Sequence, residues 1–214
     1  MRSIAKLMKD WQFTGPNGVT TAVELPHTWN AKDGQDGGND YWRGCCTYCT
    51  RFAAPVYDPA QQQVWLQFEG VNASATVLLN GQQLCTHDGG YSTFRAEVTE
   101  LLQAENQLTV RVDNSVNDRV YPQKADFTFY GGIYRDVSLL VVNKNHIALG
   151  HFGDTGVKIT PALQENSADI RVETLVEGSG TVTVELLDAE GRTVAKGEGE
   201  NASLHLDAPH LWNG

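Results

Sequence analysis

A chain of 214 residues, 41% hydrophobic and 20% charged, has enough apolar material for one large or two modest globular domains. Its 26 acidic and 16 basic residues give a net charge of −10, which argues against a nucleic-acid partner because phosphate binding needs a basic surface. No run approaches the roughly 18 consecutive apolar residues of a membrane span, so no membrane partner is expected either.

The N-terminal residues Met1 to Leu7 lack an apolar core long enough for a signal peptide, and a cytoplasmic location is expected. Cys45, Cys46 and Cys49 share one strand-like run, while Cys85 stands apart. Cys46 and Cys49 have C-x-x-C spacing, but no second pair or neighbouring histidine pair completes four ligands. In a strand, positions 45 and 49 share a face and 46 points away. Buried thiols are expected there, not a metal.

Val64, Leu66 and Phe68 alternate with Trp65 and Gln67, as do Leu108, Val110 and Val112 with Thr109 and Arg111, the pattern of strands with one wet face. Thr76 to Leu79 runs into Asn80-Gly81, the strongest short hairpin signal, because both residues tolerate positive φ. Val98 to Leu102 is the only segment read as a helical turn. Ser138 to Val142 reads as a short buried strand. Many short strands punctuated by Gly, Asn and Asp indicate an all-β chain built on a β-sandwich, specifically a jelly roll.

Asn143-Lys144-Asn145 is polar and follows the last strand of that sandwich, so the boundary is placed to give domains 1–144 and 145–214. Beyond it, Val157 to Thr160, Ile170 to Val176, Val182 to Leu187 and Leu204 to Leu206 are strand-like. About five strands fit, short of the roughly seven of an immunoglobulin-type sandwich.

Asp126 to Val137 joins four aromatics, Gly131-Gly132, the Arg135-Asp136 pair and one isolated carboxylate. Glycine pairs occur where backbone turns sharply or passes close to another surface. On spacing alone, an ordinary Greek-key corner is favoured, its aromatics in the core and Asp126 capping a turn. The alternative is a dry aromatic wall around a ligand, with Asp126 at its edge. Elsewhere there is no G-x-S-x-G elbow, H-E-x-x-H pair or phosphate loop. The loop carrying Asp33, Asp36 and Asp40 lacks the spaced ligands and terminal Glu of a calcium-binding EF-hand.

Several ordered motifs do carry a resemblance. They begin with Leu25-Pro26-His27-Thr28-Trp29-Asn30, then Asp33 to Tyr41 and Arg43-Gly44. Phe68-Glu69-Gly70-Val71, Leu79-Asn80-Gly81 and His87-Asp88-Gly89-Gly90-Tyr91 follow. Val112-Asp113-Asn114-Ser115 and Tyr121-Pro122-Gln123 then lead into Asp126 to Val137. With Trp11-Gln12-Phe13, which resembles the family's first strand, they extend over about two-thirds of the chain and resemble the N-terminal domain of family 2 glycoside hydrolases, the family of bacterial β-galactosidases and β-glucuronidases. An aromatic and a basic residue are usual in that family near Thr47 and Cys49, and this sequence departs from the pattern there.

The resemblance implies a galactose-binding-like jelly roll followed by an incomplete immunoglobulin-like sandwich. It implies that Asp126 contacts the bound sugar, with Asn30 a second substrate-binding candidate on the same rim, and that Arg135 and Asp136 form a structural pair. In some relatives the matching carboxylate also ligates a monovalent cation. A monovalent or divalent cation is therefore an option for the parent enzyme, although no cofactor or metal is expected of this chain. Catalytic carboxylates in the family sit on a (β/α)₈ barrel of roughly 250 residues, and no such pattern occurs here. The chain is therefore expected to be an inactive part of a longer glycosidase whose barrel lies in the same polypeptide. A β-galactoside is the expected substrate and a β-glucuronide the alternative, with self-assembly of the parent left open. The competing classes are a stand-alone carbohydrate-binding module and a purely structural sandwich, since one fold hosts all three.

Overall fold

The structure is a computed structural model that describes residues 2–31, 41–122 and 128–211. The chain forms two compact units, the first from Met1–Asn143 with His151–Gly153, the second from Lys144–Gly150 with Asp154–Gly214. Among the described residues no helix is long and apolar enough to cross a membrane.

In the first unit the strands are β1 (Ser3–Lys6), β2 (Trp11–Thr14), β3 (Thr20–Val23), β4 (Cys45–Ala53), β5 (Gln62–Phe68), β6 (Val71–Asn72), β7 (Ser74–Leu79), β8 (Gln82–Asp88), β9 (Phe94–Glu97), β10 (Glu105–Asp113), β11 (Gly132–Ile133) and β12 (Val137–Asn143). They assemble into an antiparallel four-stranded sheet, β1-β12-β5-β9, and an antiparallel six-stranded sheet, β3-β2-β4-β10-β7-β8, with β6 and β11 pairing separately. Side chains from both large sheets meet in one buried cluster that includes Trp11, Tyr48, Leu66, Phe68, Val77, Leu79, Phe94, Leu108, Val110, Val137, Leu139 and Val141.

The period of two read from the sequence decides which residues enter this core. Val64, Leu66 and Phe68 on β5 and Leu108, Val110 and Val112 on β10 are fully buried, as the alternation requires. β12 is buried along both faces from Val137 to Val142, which explains its continuous apolar run. Asn80 and Gly81, at φ 52 and 82, close the two-residue turn between Leu79 and Gln82. The Asn80 carboxamide also bonds Leu101 O, Asn106 Oδ1 and the Gln107 amide. Thr99–Leu101 forms a single 3-10 turn where the helical turn is expected.

The cysteines follow strand geometry. Cys46 is buried on the inner face of β4, but against the expectation of buried thiols Cys45 is exposed on the opposite face and Cys49 only half-buried, and none is in a disulfide. Burial pushes the Cys46 thiol up to about 12 and the Cys85 thiol up to about 11, so both stay protonated and unreactive.

In the second unit the strands are β13 (His146–Ile147), β14 (Val157–Leu163), β15 (Ser167–Thr174), β16 (Val176–Glu177), β17 (Thr183–Leu187), β18 (Thr193–Glu198) and β19 (Asn201–Asp207). The sheets are β14-β15-β19, β17-β18 and β13-β16. The buried cluster is small: Val172, Ala202 and Leu204, with Val157, Ile170, Val184, Leu186 and Ala195 partly covered. Strand β18 escapes the sequence reading because Gly197 and Lys196 interrupt its apolar alternation.

Cover over this sheet runs out at β14. Ile159 lies opposite Val172 and Leu163 opposite Ala168, and residues directly opposite share a face. Val172 and Ala168 are buried, yet Ile159 is 64% and Leu163 61% exposed. An apolar strip on an edge strand favours pairing with another chain. In hydrogen exchange, residues 157–206 are therefore expected to be less protected than residues 64–142, with light scattering showing association that rises with concentration. Substituting Ile159→Lys and Leu163→Lys should reduce that association. Equal protection in both units, in a strictly monomeric chain, would contradict this reading.

Candidate functional site

The aromatic and glycine-rich stretch from Thr128 to Val137 is fixed against the Leu25–Asn30 segment by close backbone approach. A Cβ on Gly131 would lie 2.2 Å from the Trp29 ring and 2.7 Å from Asn114 Nδ2. One on Gly132, at φ +136, would lie 2.4 Å from the His27 carbonyl oxygen. Only glycine allows this contact. It is sealed by hydrogen bonds: His27 N–H donates to Ile133 O at 2.8 Å and Trp29 N–H to Gly131 O at 3.3 Å. The Thr28 hydroxyl also donates to Gly131 O, at 2.7 Å.

Asn30 ties the knot. Its Oδ1 accepts the Gly131 N–H at 2.7 Å and Asn114 Nδ2 at 3.3 Å, while its Nδ2 donates to Trp42 O at 3.0 Å. Asn114 Oδ1 in turn accepts the Gly44 N–H at 2.8 Å. Asn30 is fully buried; the structure places it beneath the loop, with its carboxamide committed to protein groups. Rings close the layer: Trp29 stacks on Phe13 at 6.0 Å and meets Trp42 edge-on at 6.1 Å. His27 Nδ1 and the Tyr48 hydroxyl are 2.7 Å apart. Burial lowers the His27 pKa and raises that of Tyr48, so both remain neutral near pH 7.

Above this layer a cleft of about 470 Å³ is lined by Asn72, Tyr91, Thr128, Tyr130 and Tyr134. Asn72 Nδ2 donates to Tyr130 O at 2.8 Å, fixing one wall. The Tyr134 hydroxyl donates to Gly90 O, and the Tyr91 and Tyr134 rings meet edge-on at 6.4 Å. Gly90 is required because a Cβ there would lie 2.2 Å from Asn72 Oδ1. The turn that carries Tyr91 is held from below by His87, stacked on Phe94 at 4.3 Å, with Nε2 3.0 Å from Ser92 Oγ and 3.1 Å from Gly89 O.

Arg135 and Asp136 do not form the expected pair. The Asp136 carboxylate bridges to Lys6 at 2.5 Å, and the Arg135 guanidinium lies over the Tyr134 ring at 5.5 Å. Lys6 on β1 takes the Asp136 carboxylate, which is therefore engaged away from Arg135. Asp126 lies outside the described residues, as do Asp33, Asp36 and Asp40. Among the described residues no group of three or more His, Cys, Asp or Glu could hold a metal ion. Asn72, Tyr91 and Tyr134 were not singled out from sequence; the Gly89-Gly90 pair before Tyr91 was the available signal, since a glycine pair marks close approach.

Comparison with known proteins agrees with this architecture. Residues 38–162 match the glycosyl hydrolase 2 galactose-binding domain-like family. The chain belongs to that family.

A β-glucuronidase of Bacteroides fragilis is 33% identical over 230 residues, covering 97% of this chain and 33% of its own length. The crystal structure of an FMN-binding β-glucuronidase from Facaelibacterium prausnitzii L2-6 superposes with a TM-score of 0.90 at 35% identity, covering 99% of this chain and 35% of that one. A putative β-galactosidase from Bacteroides fragilis gives a TM-score of 0.89 at 33% identity, covering 100% of this chain and 37% of that one. This glycosyl hydrolase 2 chain therefore spans about a third of the length of these three relatives.

Two outcomes follow for this glycosyl hydrolase 2 domain. Gly131→Ala should destabilise it by about 1–3 kcal/mol through overpacking, whereas Gly180→Ala, with nothing within 4 Å of its Cβ, should be close to neutral in urea denaturation. Burial also holds His87 below the ordinary 6.5. The unfolded chain then gains protons that the folded one refuses, so this contribution to stability is fully present above about pH 6.5 and falls as pH is lowered towards the folded pKa. In an NMR titration the His87 ring should stay neutral at pH values where His205, raised by its bond to Asp169, is already charged. Titration of His87 at or above 6.5 would contradict its burial.

Proposed function

We propose that this chain is the N-terminal part of a glycosidase, in which it supplies one wall of a sugar site whose catalytic carboxylates lie on a barrel elsewhere in the same polypeptide. The observation that carries the reading is the rigid loop from Thr128 to Tyr134, clamped on Asn30 and presenting tyrosines and Asn72 to an open cleft. A preorganised rim of this kind suits positioning, not bond cleavage. Asp126, just before that loop in sequence, is proposed to accept a hydrogen bond from a sugar hydroxyl, as a carboxylate can. Asn30 is proposed to serve the same site indirectly, by fixing the Gly131 backbone.

For the sugar, the names of two of the relatives favour a β-glucuronide. A β-galactoside, the choice from sequence, is the second reading, favoured by the similarity to the putative β-galactosidase. The two differ on C5, a carboxylate against a hydroxymethyl group, and in the configuration of the C4 hydroxyl, and a site built to pair the carboxylate discriminates by large factors.

The test is to express the full reading frame that contains this chain and compare kcat/KM on 4-nitrophenyl β-D-glucuronide and 4-nitrophenyl β-D-galactoside. A preference for the glucuronide of more than about 100-fold is expected. The reverse preference would select the second reading, and no turnover of either would overturn both. The isolated 214-residue chain should hydrolyse neither and should bind galactose more weakly than about 1 mM, less than roughly 4 kcal/mol. Turnover by a preparation free of host enzyme, abolished by mutations within this chain, would place the chemistry here instead.

A further inference from the structure

We propose that Asn17 is a site of spontaneous covalent modification, where the side-chain amide is converted to a carboxylate, while Asn80, in the same dipeptide, is protected by the fold. The inference stands apart from the glycosidase reading. The sequence holds three Asn-Gly pairs, Asn17-Gly18, Asn80-Gly81 and Asn213-Gly214, the last outside the described residues. Glycine lacks a Cβ, so its amide nitrogen reaches the preceding asparagine side chain with little hindrance.

The step is an internal acyl transfer. The Gly18 amide nitrogen gives its proton to solvent base and attacks Asn17 Cγ. The new N–Cγ bond closes a five-membered succinimide, and the Cγ–Nδ2 bond breaks with release of ammonia. Water then opens the ring at either carbonyl, leaving aspartate or isoaspartate. One water is consumed and one ammonia formed, with no oxidant or reductant.

Asn17 is set up for this reaction. It lies exposed in the loop between β2 and β3, and a Cβ on Gly18, at φ +73, would meet nothing within 4 Å. The Asn17 Oδ1 accepts the Val19 N–H at 3.0 Å. That bond polarises the Cγ carbonyl and stabilises the negative charge that gathers on Oδ1 as nitrogen adds. Asn17 Nδ2 has no hydrogen-bond partner among the described residues, so the departing ammonia breaks no contact. The Gly18 N–H is held by Gly15 O at 3.0 Å, one bond at an exposed turn, where local opening costs least.

Asn80 is held differently. It is half-buried, and its carboxamide is pinned against Leu101 and β10. Its Nδ2 donates to Leu101 O at 3.1 Å and to Asn106 Oδ1 at 3.0 Å, and its Oδ1 accepts the Gln107 N–H at 2.9 Å. Both Nδ2 bonds must break before ammonia leaves, and turning Cγ towards the Gly81 nitrogen gives up the third. Three hydrogen bonds lost on the way to the transition state slow the reaction by more than about tenfold. Conversion at Asn17 adds a negative charge to a chain whose net charge is −10. Isoaspartate also adds a methylene to the backbone of the turn that closes β3, an edge strand.

The intact chain is incubated in mildly alkaline buffer made with heavy-oxygen water, then digested, and its peptides are read by mass spectrometry after chromatography that separates isoaspartate from aspartate. The Asn17 peptide should take up heavy oxygen and yield both products, at least about tenfold faster than the Asn80 peptide. In the urea-unfolded chain the two rates should come together, because the contacts that protect Asn80 are gone. Asn17→Gln should abolish uptake in its peptide. Equal rates at Asn17 and Asn80 in the folded chain would overturn the proposal. So would an Asn17 peptide that stays unlabelled in the folded chain while the unfolded chain takes up label there.

Discussion

The carboxamide of Asn30 is the interaction on which the described part of the site depends. It is fully buried and receives the Gly131 N–H while gripping Asn114 and Trp42. Three segments far apart in sequence are thereby joined at one residue. Removing it would strand buried backbone and side-chain groups whose desolvation costs about 1–3 kcal/mol each. The glycines at 131 and 132 are the complementary constraint, since any side chain there would collide with Trp29 or the His27 carbonyl. Position and chemistry separate cleanly: buried amides hold the loop, and the tyrosines above them remain free to meet a ligand.

Much of the fold was legible because it obeys local rules. The alternations at β5 and β10, the continuous apolar run of β12 and the Asn80-Gly81 turn each report a backbone geometry that few other sequences support. The second unit was harder to read. Gly197 breaks the period of β18, and two-residue strands such as β13 and β16 carry no period at all. The site was legible only as a peculiarity, an aromatic and glycine run without a period. Which ring faces the cleft, that Asn72 anchors Tyr130, and that Asp136 chooses Lys6 over Arg135 are products of long-range packing, which adjacency in sequence does not encode.

The two units distribute their stability unevenly. In the first, two sheets enclose a core that includes Trp11, Tyr48, Phe68 and Phe94 at full burial. In the second, three buried apolar residues carry the cluster, and the apolar face of β14 stands in solvent. A site needing fixed geometry is better built on the first kind of scaffold than on the second. The loop carrying Tyr130 belongs to the first unit, as do Asn72 and the Tyr91 turn.

Amide hydrogen exchange at Gly131 tests this account most directly. If Asn30 holds the loop, the Gly131 N–H should be as slow to exchange as the amides of β10. In Asn30→Ala it should become fast while β10 remains protected. A Gly131 amide that exchanges freely in the unmodified chain, or stays protected in the variant, would contradict the central role given to Asn30.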